Sequence, residues 1–395
     1  MRPILIIRSA MRVAIIATPL LLALHYFITH LLAFIHIFYQ HPGIAITQRQ
    51  VANAYYLNGT TLLGEEATGR KKKEYIPKII HQIFHNWKDP ANETLPSDWD
   101  AQRRTCVESN PHWEHRLWTP RTSLSFLTTH YPTFLPSYLS YPHPVQRVDA
   151  LRYFLLYHYG GIYLDLDNGC LPSSVSMSMS STVSDSLDPL VGYPLWITDG
   201  GRGALSNNIL GARARHPFWG RVVAELISGR GAAVPRGWGE RVTGFWKRWW
   251  CAWGVLRYVE VSWGVGQWFL GGVWDEYHVL LERGRDQVRG DTLMLSVMEG
   301  VVDDEEESGR LYRLMMDDRP GRDEWVFFTQ GRGGTWNGWD NRLFLEIGDH
   351  LGVFFLLLVL GVLGGILGWL AKRYRVQRGK GYRRVKSEDM EDRSE

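Results

Sequence analysis

The chain has 395 residues, 45% hydrophobic and 22% charged, with 44 Lys and Arg against 41 Asp and Glu. A formal net charge of +3 excludes the strongly basic character of a nucleic-acid binder, and much of that excess lies in the C-terminal tail. Three cysteines, Cys106, Cys170 and Cys251, allow at most one internal pair without saying which, and show neither a zinc-ligand spacing nor a nucleophile with a paired histidine.

Residues 1–12 carry Arg2, Arg8 and Arg12 and read as a cytosolic N-terminus. Residues 13–39 follow as a transmembrane anchor, long enough to cross a bilayer although Pro19, His25, His30 and His36 interrupt it. A buried or interfacial helix is the other reading, and it would leave the middle of the chain in the cytosol. Residues 40–75 form a polar stem ending in Arg70, Lys71, Lys72 and Lys73. The globular domain spans residues 76–350, and residues 351–370 make a second, cleaner transmembrane helix. Residues 371–395 are a basic tail, with Lys372, Arg373, Arg375, Arg378 and Lys380 close to the membrane. The positive-inside rule then places both termini in the cytosol and the middle on the other side. The sequons at Asn58 and Asn92 agree with that topology.

Within the middle, residues 75–84 read as the first strand, with Ile79, Ile80, Ile83 and Phe84 as core. Residues 113–118 suggest a second strand and 122–131 a short helix. Residues 145–159 place Val148, Leu151, Leu155 and Tyr159 at helical spacing, and Gly160 and Gly161 stop the helix. Residues 162–167 alternate instead, with Ile162, Leu164 and Leu166 on one side and Tyr163, Asp165 and Asp167 on the other. Strands alternating with helices predict an α/β sheet with ligands at the strand ends. Residues 173–188 are serine-rich and read as a flexible insertion, and residues 299–307 as a solvated acidic loop. Residues 238–274 hold Trp246, Trp249, Trp250, Trp253, Trp263, Trp268 and Trp274 among arginines and a lysine. That mixture suits a membrane headgroup layer or stacking on sugar rings, and suits an aromatic core equally.

The chemistry concentrates between Gln146 and Cys170. Asp165 and Asp167, held on one face, repel each other unless a cation sits beside them, and hard oxygen ligands favour Mn²⁺ or Mg²⁺. Arg147 and Arg152 on the preceding helix offer planar forks of donors that match a diphosphate. Asp149 pairs with Arg152 one turn away, either as a plain helix salt bridge or as the group that orients it.

Three runs carry a family resemblance: Ile76-Pro77-Lys78-Ile79-Ile80-His81-Gln82, then Arg147-x-Asp149-x-x-Arg152-Tyr153, then Leu156 to Asp167. Together they resemble the DXD sugar-binding glycosyltransferases of family 32, which include fungal mannosyltransferases acting on N-glycans and on inositol phosphoceramide. The similarity extends through Ser206-Asn207-Asn208, His216-Pro217-Phe218, Trp274 to Tyr277 and Phe327 to Asp340. It implies a glycosyltransferase A fold, a Rossmann-like sheet that binds a nucleotide sugar, here flanked by the two transmembrane helices. GDP-mannose is the implied donor, with Mn²⁺ or Mg²⁺ on its diphosphate and retention of anomeric configuration. Asp149, Arg152, Asp165 and Asp167 are the implied catalytic residues. His81, Gln82, Arg147, Arg152, Tyr163, Asn208, Gly334, Thr335 and Trp336 are implied donor contacts, although His81 fits a structural histidine equally well. Asp165 and Asp167 are metal ligands, with Asn337 or Asp340 as the third. Asn337 departs from the histidine common at that place in the family, and Asn208 from an aspartate. Two anchors and the tryptophan-rich stretch favour inositol phosphoceramide as acceptor on a Golgi membrane, with room for a regulatory membrane subunit. A protein N-glycan mannosyltransferase and a non-catalytic membrane protein of the same fold are the alternatives.

Overall fold

The computed structural model describes residues 41–61, 74–86, 91–172, 185–199, 205–229, 257–287, 310–316 and 325–330, with Asp89 and isolated helical positions between 18 and 28 and between 350 and 372. The chain divides into two units, Met1–Asn337 and Gly338–Glu395. The elements below all belong to the first.

In chain order the strands are β1 (Ile44–Thr47), β2 (Ile79–Ile83), β3 (Glu114–Trp118), β4 (Gly161–Leu164), β5 (Asn168–Cys170), β6 (Leu195–Asp199), β7 (Leu205–Ala212), β8 (Tyr312–Met315) and β9 (Phe328–Gln330). The helices are α1 (Gln48–Thr61), α2 (Ser97–Ser109), α3 (Pro120–His130), α4 (Leu135–Ser140), α5 (Pro144–Tyr159), α6 (Pro217–Ile227), α7 (Arg257–Gly264) and α8 (Gln267–Gln287). Seven strands form one sheet in the order β1-β8-β6-β7-β4-β2-β3, while β5 and β9 make a separate antiparallel pair. Every neighbouring pair in the large sheet is parallel except the two made by β7. The carboxyl ends of β2, β3, β4, β6 and β8 therefore share one edge with the start of β7. Ligands of such sheets collect at that edge, above all where the chain order reverses. Here the reversal lies at β2: the chain steps outward to β3, then returns past β2 to β4.

One face of the sheet is covered by α3, α5, α6 and α8, whose Phe126, Leu151, Phe154, Trp219 and Trp274 join Tyr163 and Leu210 in a core. The other face packs α1, α2 and β5 through Val51, Cys106, Cys170 and Trp196. Helix α5 starts on Pro144, whose missing N–H costs nothing at that place, and His143 N–H donates to Gln146 Oε1 at 3.1 Å. It stops at Gly160 (φ 67°). A Cβ on Gly161 (φ 99°) would lie 2.5 Å from the Ile79 carbonyl, so the helix-to-strand turn needs glycine both for its dihedrals and for the approach of β2.

Four expectations change. The stretch assigned as stem supplies β1, which pairs with β8, and α1, whose Gln48 Oε1 accepts from Val326 and Phe327 N–H at 3.0 Å each. The sheet thus recruits residues well before 76, and β2 is its second strand in chain order. The strand expected over 162–167 ends at Leu164, where a turn closed by Asn168 N–H to the Asp165 carbonyl (3.0 Å) takes over. Asp165 and Asp167 sit in that turn, between β4 and β5. Of the serine-rich insertion, residues 173–184 lie outside the described residues, while Asp185, Ser186 and Leu187 are buried against the fold. Trp268 and Trp274 are buried, and the Trp274 indole N–H donates to the Pro42 carbonyl at 2.9 Å, so these two belong to the aromatic core rather than to a membrane layer. Trp246, Trp249, Trp250 and Trp253 lie outside the described residues, as does the acidic loop 299–307.

Among the described residues, no helix is long and apolar enough to cross a membrane. The segments 13–39 and 351–370 lie mostly outside them.

Candidate active site at the carboxyl edge

Asp149 and Arg152 are three residues apart on α5 and so face the same way, toward the end of β4. Arg152 is 3% exposed. Its guanidinium donates to Asp149 Oδ1 and to the Asn207 carbonyl. It also lies 3.5 Å from Asp165 Oδ1 and covers the Tyr163 ring at 4.6 Å. Tyr163 O–H donates to Asp165 Oδ1, so the side chains of positions 163 and 165 meet on one side as the alternation requires. Burial opposes the arginine charge, yet Asp165, Tyr163 and Asp149 together hold it above the ordinary arginine range. Burial pushes the Asp149 carboxyl up to about 6 against the pull of Arg152, and raises Asp165 against Arg152 and Tyr163. Burial and then the Asp165 charge push Asp167 up to about 7.

Asp165 and Asp167 are therefore two hard-oxygen groups in a poorly solvated turn, each made harder to ionise by its surroundings. That donor set fits a divalent cation, which would relieve the repulsion. Among the described residues no cluster of three acidic, histidine or cysteine side chains completes a metal site. Mg²⁺ and Mn²⁺ sites of this kind complete their shell with substrate phosphate and water. Asn168 Nδ2 donates to Asp167 Oδ1 at 3.1 Å and fixes that carboxylate. The strand beyond is pinned by three bonds from two neighbours: Cys170 is bonded to Cys106 of α2, Cys170 N–H donates to Thr105 Oγ1 of the same helix at 2.9 Å, and Gly169 N–H donates to Thr329 Oγ1 of β9 at 3.1 Å.

The structure brings Asp149, Arg152, Tyr163 and Asp165 into direct contact, with Asp167 two residues on. Asn208 joins them through its backbone, its carbonyl accepting from Asp165 N–H at 2.9 Å. Its amide oxygen, however, is occupied by the Ser206 and Thr198 hydroxyls within β7 and β6. His81 does not join. It is fully buried, Nε2–H donates to the Gly160 carbonyl at 2.9 Å, and Nδ1 accepts from the Trp118 indole at 3.1 Å. Burial holds it neutral, down to about 4, so it is a structural histidine rather than a nucleotide contact. Gln82, one residue on and hence on the opposite face, is buried with its amide nitrogen unpartnered. Arg147 stands apart from the cluster. It is two positions from Asp149 on a helix of roughly 3.6 residues per turn, so it points nearly the opposite way. Its Nη2–H donates to the Leu139 carbonyl at 3.1 Å. Gly334, Thr335, Trp336, Asn337 and Asp340 lie outside the described residues.

Two participants escaped the sequence reading. Asn207 receives Arg152 on its carbonyl, and its amide donates to the Tyr153 hydroxyl at 3.3 Å. Tyr153 in turn donates to the Val265 carbonyl at 2.9 Å. Both stood inside recognised runs, but only the antiparallel register of β7 against β4 shows that Asn207 and Asn208 flank the aspartate turn.

Residues 96–184 match the family described as a glycosyltransferase sugar-binding region containing a DXD motif. Inositol phosphoceramide mannosyltransferase 3 of Schizosaccharomyces pombe is 42% identical over 151 residues, 38% of this chain and 37% of that protein. Mannosyl phosphorylinositol ceramide synthase SUR1 of Saccharomyces cerevisiae is 30% identical over 206 residues, 52% of this chain and 44% of that one. The chain spans less than half the length of these curated relatives. The family read from the motifs and the family matched here agree. Among solved structures, the PaToxG glycosyltransferase aligns over 63% of this chain and 84% of its own at 12% identity and a TM-score of 0.32.

Proposed function

We propose that this chain is a membrane-bound mannosyltransferase of the glycosyltransferase A type that transfers mannose from GDP-mannose to inositol phosphoceramide with retention of configuration. The observation that carries the reading is the Asp149–Arg152–Tyr163–Asp165 cluster beside Asp167, at the sheet edge where nucleotide ligands collect. The names of the matched relatives, which act on inositol phosphoceramide, favour that acceptor.

Asp165 and Asp167 would hold Mn²⁺ or Mg²⁺, which when bound supplies Lewis-acid stabilisation of the departing diphosphate. The remaining roles belong to the chain. Arg152 is a permanently charged group whose Nε–H is buried without a partner, and its place beside both carboxylates suits it to bind donor oxygens. Asp149 and the Asn207 carbonyl fix the guanidinium plane, so little rotamer freedom is lost when donor arrives. Tyr163 closes the apolar side of the turn and holds Asp165 in one rotamer.

A lumenal site on a Golgi membrane is part of the proposal. It is supported by the Cys106–Cys170 disulfide, since such bonds persist in oxidising compartments, and by the exposed turn that carries Asn92. Leu22, Ile28, Val353, Leu356, Leu357 and Leu360, helical positions inside the two apolar segments, are 44–63% exposed, as lipid-facing side chains are. The test is transfer from labelled GDP-mannose in purified membranes, with inositol phosphoceramide and an N-glycan acceptor offered in parallel. Labelled lipid is the expected product. Label on glycan alone would replace the acceptor assignment, and label on neither would refute the activity.

A further inference from the structure

Helix α3 begins directly after β3 and α5 ends directly before β4, so the starts of both helices, with α4 between them, stand at the carboxyl edge. The composition of this shoulder is one-sided. Residues 119–148 contain no Asp or Glu, although acids make up 41 of the 395 residues. Leu124 and Leu139, 41% and 50% exposed, line a cavity of about 190 Å³ beside the end of β2, together with Pro120, Tyr138, Pro144 and Arg147. Outside the two apolar end segments, the other exposed large apolar side chains among the described residues, Ile44, Ile227 and Val279, stand singly on β1, α6 and α8. Single ones are ordinary on a protein surface, whereas a group of them marks a face that meets something apolar. Arg121, one turn before Leu124 and on the same flank of α3, is exposed and has no acidic partner among the described residues. At the border, Glu260 of α7 pairs with His143 at 3.2 Å, and Glu93 lies within electrostatic reach of His85.

We propose that this shoulder is the surface that lies against the membrane, with Leu124 and Leu139 at the boundary of headgroups and acyl chains and Arg121 on anionic headgroups. The inference rests on the membrane-bound reading above and adds the orientation of the domain. An anionic bilayer surface selects exposed apolar side chains beside cations. It also selects against carboxylates, which it repels and which are costly to strip of water. Arginine suits that depth because its stem packs on apolar neighbours while its head stays with phosphate oxygens. The negative charge need not come from a separate lipid, since the headgroup of inositol phosphoceramide is itself a phosphodiester. The consequence for catalysis follows from topology. A bilayer against the shoulder lies beside the edge that carries Asp165 and Asp167, so a lipid acceptor presents its headgroup there without leaving the membrane.

The experiment uses the full chain carrying Cys251→Ser, labelled with an environment-sensitive fluorophore at Leu139→Cys and reconstituted in phosphatidylcholine vesicles with or without phosphatidylserine. The buried Cys106–Cys170 pair does not take the label. Val279→Cys on α8, of like exposure at 42%, is the control. Nitroxide-bearing lipids should quench the probe at 139 and not at 279, and phosphatidylserine should deepen that quenching at low salt. Equal quenching at both positions, or none at 139 in a chain that stays with the vesicles, overturns the proposal. Shielding of 139 in native membranes but not in lipid vesicles gives the surface to a protein partner and overturns it equally. In the kinetic arm, Leu124→Ser with Leu139→Ser should raise KM for bilayer-embedded inositol phosphoceramide about tenfold. KM for GDP-mannose and transfer to a water-soluble inositol phosphate should not change. Arg121→Glu should raise the lipid KM about fivefold on phosphatidylserine vesicles and less on phosphatidylcholine alone. An unchanged lipid KM in both variants also overturns the proposal. A chain that leaves the vesicles refutes the membrane-bound reading itself. Docking through position 139 without mannose transfer refutes the transferase reading and leaves the docking surface standing.

Discussion

Replacing both half-cystines, Cys106→Ser with Cys170→Ser, should destabilise the domain and loosen the aspartate turn together. The bond spans 64 residues between α2 and β5, both partners being almost fully buried. Cross-linking a loop of that length removes about 14 cal/mol/K of chain entropy from the unfolded ensemble, or about 4 kcal/mol at 25 °C. For a domain of this size that lowers the melting temperature by about 10 °C. The local effect follows from position, since Cys170 lies three residues beyond Asp167 and β5 is what holds the turn. A Cβ on the adjacent Gly169 would come within 2.4 Å of Gln102 Oε1, so this strand and α2 are in tight contact. The variant should therefore bind Mn²⁺-dependent GDP more weakly at temperatures where it is still folded. Differential scanning fluorimetry, near-ultraviolet circular dichroism and nucleotide titration read the three quantities. Thiol counting on the unfolded, unreduced parent gives a direct check, with one free thiol expected from the three cysteines. Three free thiols, or an unchanged melting temperature in the double variant, would refute the reasoning.

Arg152→Met should cost about 3–5 kcal/mol of stability, because it strands Asp149 and Asp165 without their buried counter-charge. Urea unfolding with the Asp149→Asn partner, alone and combined, checks this. The combined variant should recover part of the loss, and strictly additive losses would argue against the coupling. His81→Gln separates a titration effect from a packing effect. The His81 imidazole is lowered from 6.5 to about 4 by burial, so the unfolded chain takes up its proton first as pH falls. Its stabilising contribution is complete above pH 6.5 and is lost as pH falls toward 4, which corresponds to about 3 kcal/mol. The stability of the parent relative to His81→Gln should be flat above pH 6.5 and decline below it, and a parallel course of the two curves would contradict the neutral-histidine assignment.

The elements nearest the site were the easiest to read. Helix α5 has Val148, Leu151, Leu155 and Tyr159 at helical spacing and two glycines behind it, and β2 is marked by Ile79, Ile80 and Ile83, although β3 is polar at Glu114, His115 and Arg116. What the local pattern does not contain is long-range pairing. Ile44–Thr47 is a four-residue strand inside a polar stretch, and its partner β8 begins at Tyr312, so nothing near it in sequence marks it as part of the sheet. The end of β4 departs from its pattern for a different reason. Ile162 to Asp167 alternates through its whole length, and Leu166 is buried at 5% exposure, as a strand would bury it, yet the backbone turns at Asp165. Periodicity reports which side chains are covered and not how the backbone is hydrogen-bonded. Arg147 and Arg152 show the same limit, since both are arginines near the aspartates in sequence. Only the helical angle between them assigns one to the aspartate cluster and the other to the cavity beside β2.

The most direct test of the central claim is metal-dependent transfer of labelled mannose from GDP-mannose to inositol phosphoceramide by the full chain, compared with Asp167→Ala. Transfer by the parent should vanish with a chelator and return with Mn²⁺ or Mg²⁺, while the variant, with an unchanged melting temperature, stays inactive. A parent that transfers nothing with any divalent cation, or a variant as active as the parent, would contradict the account.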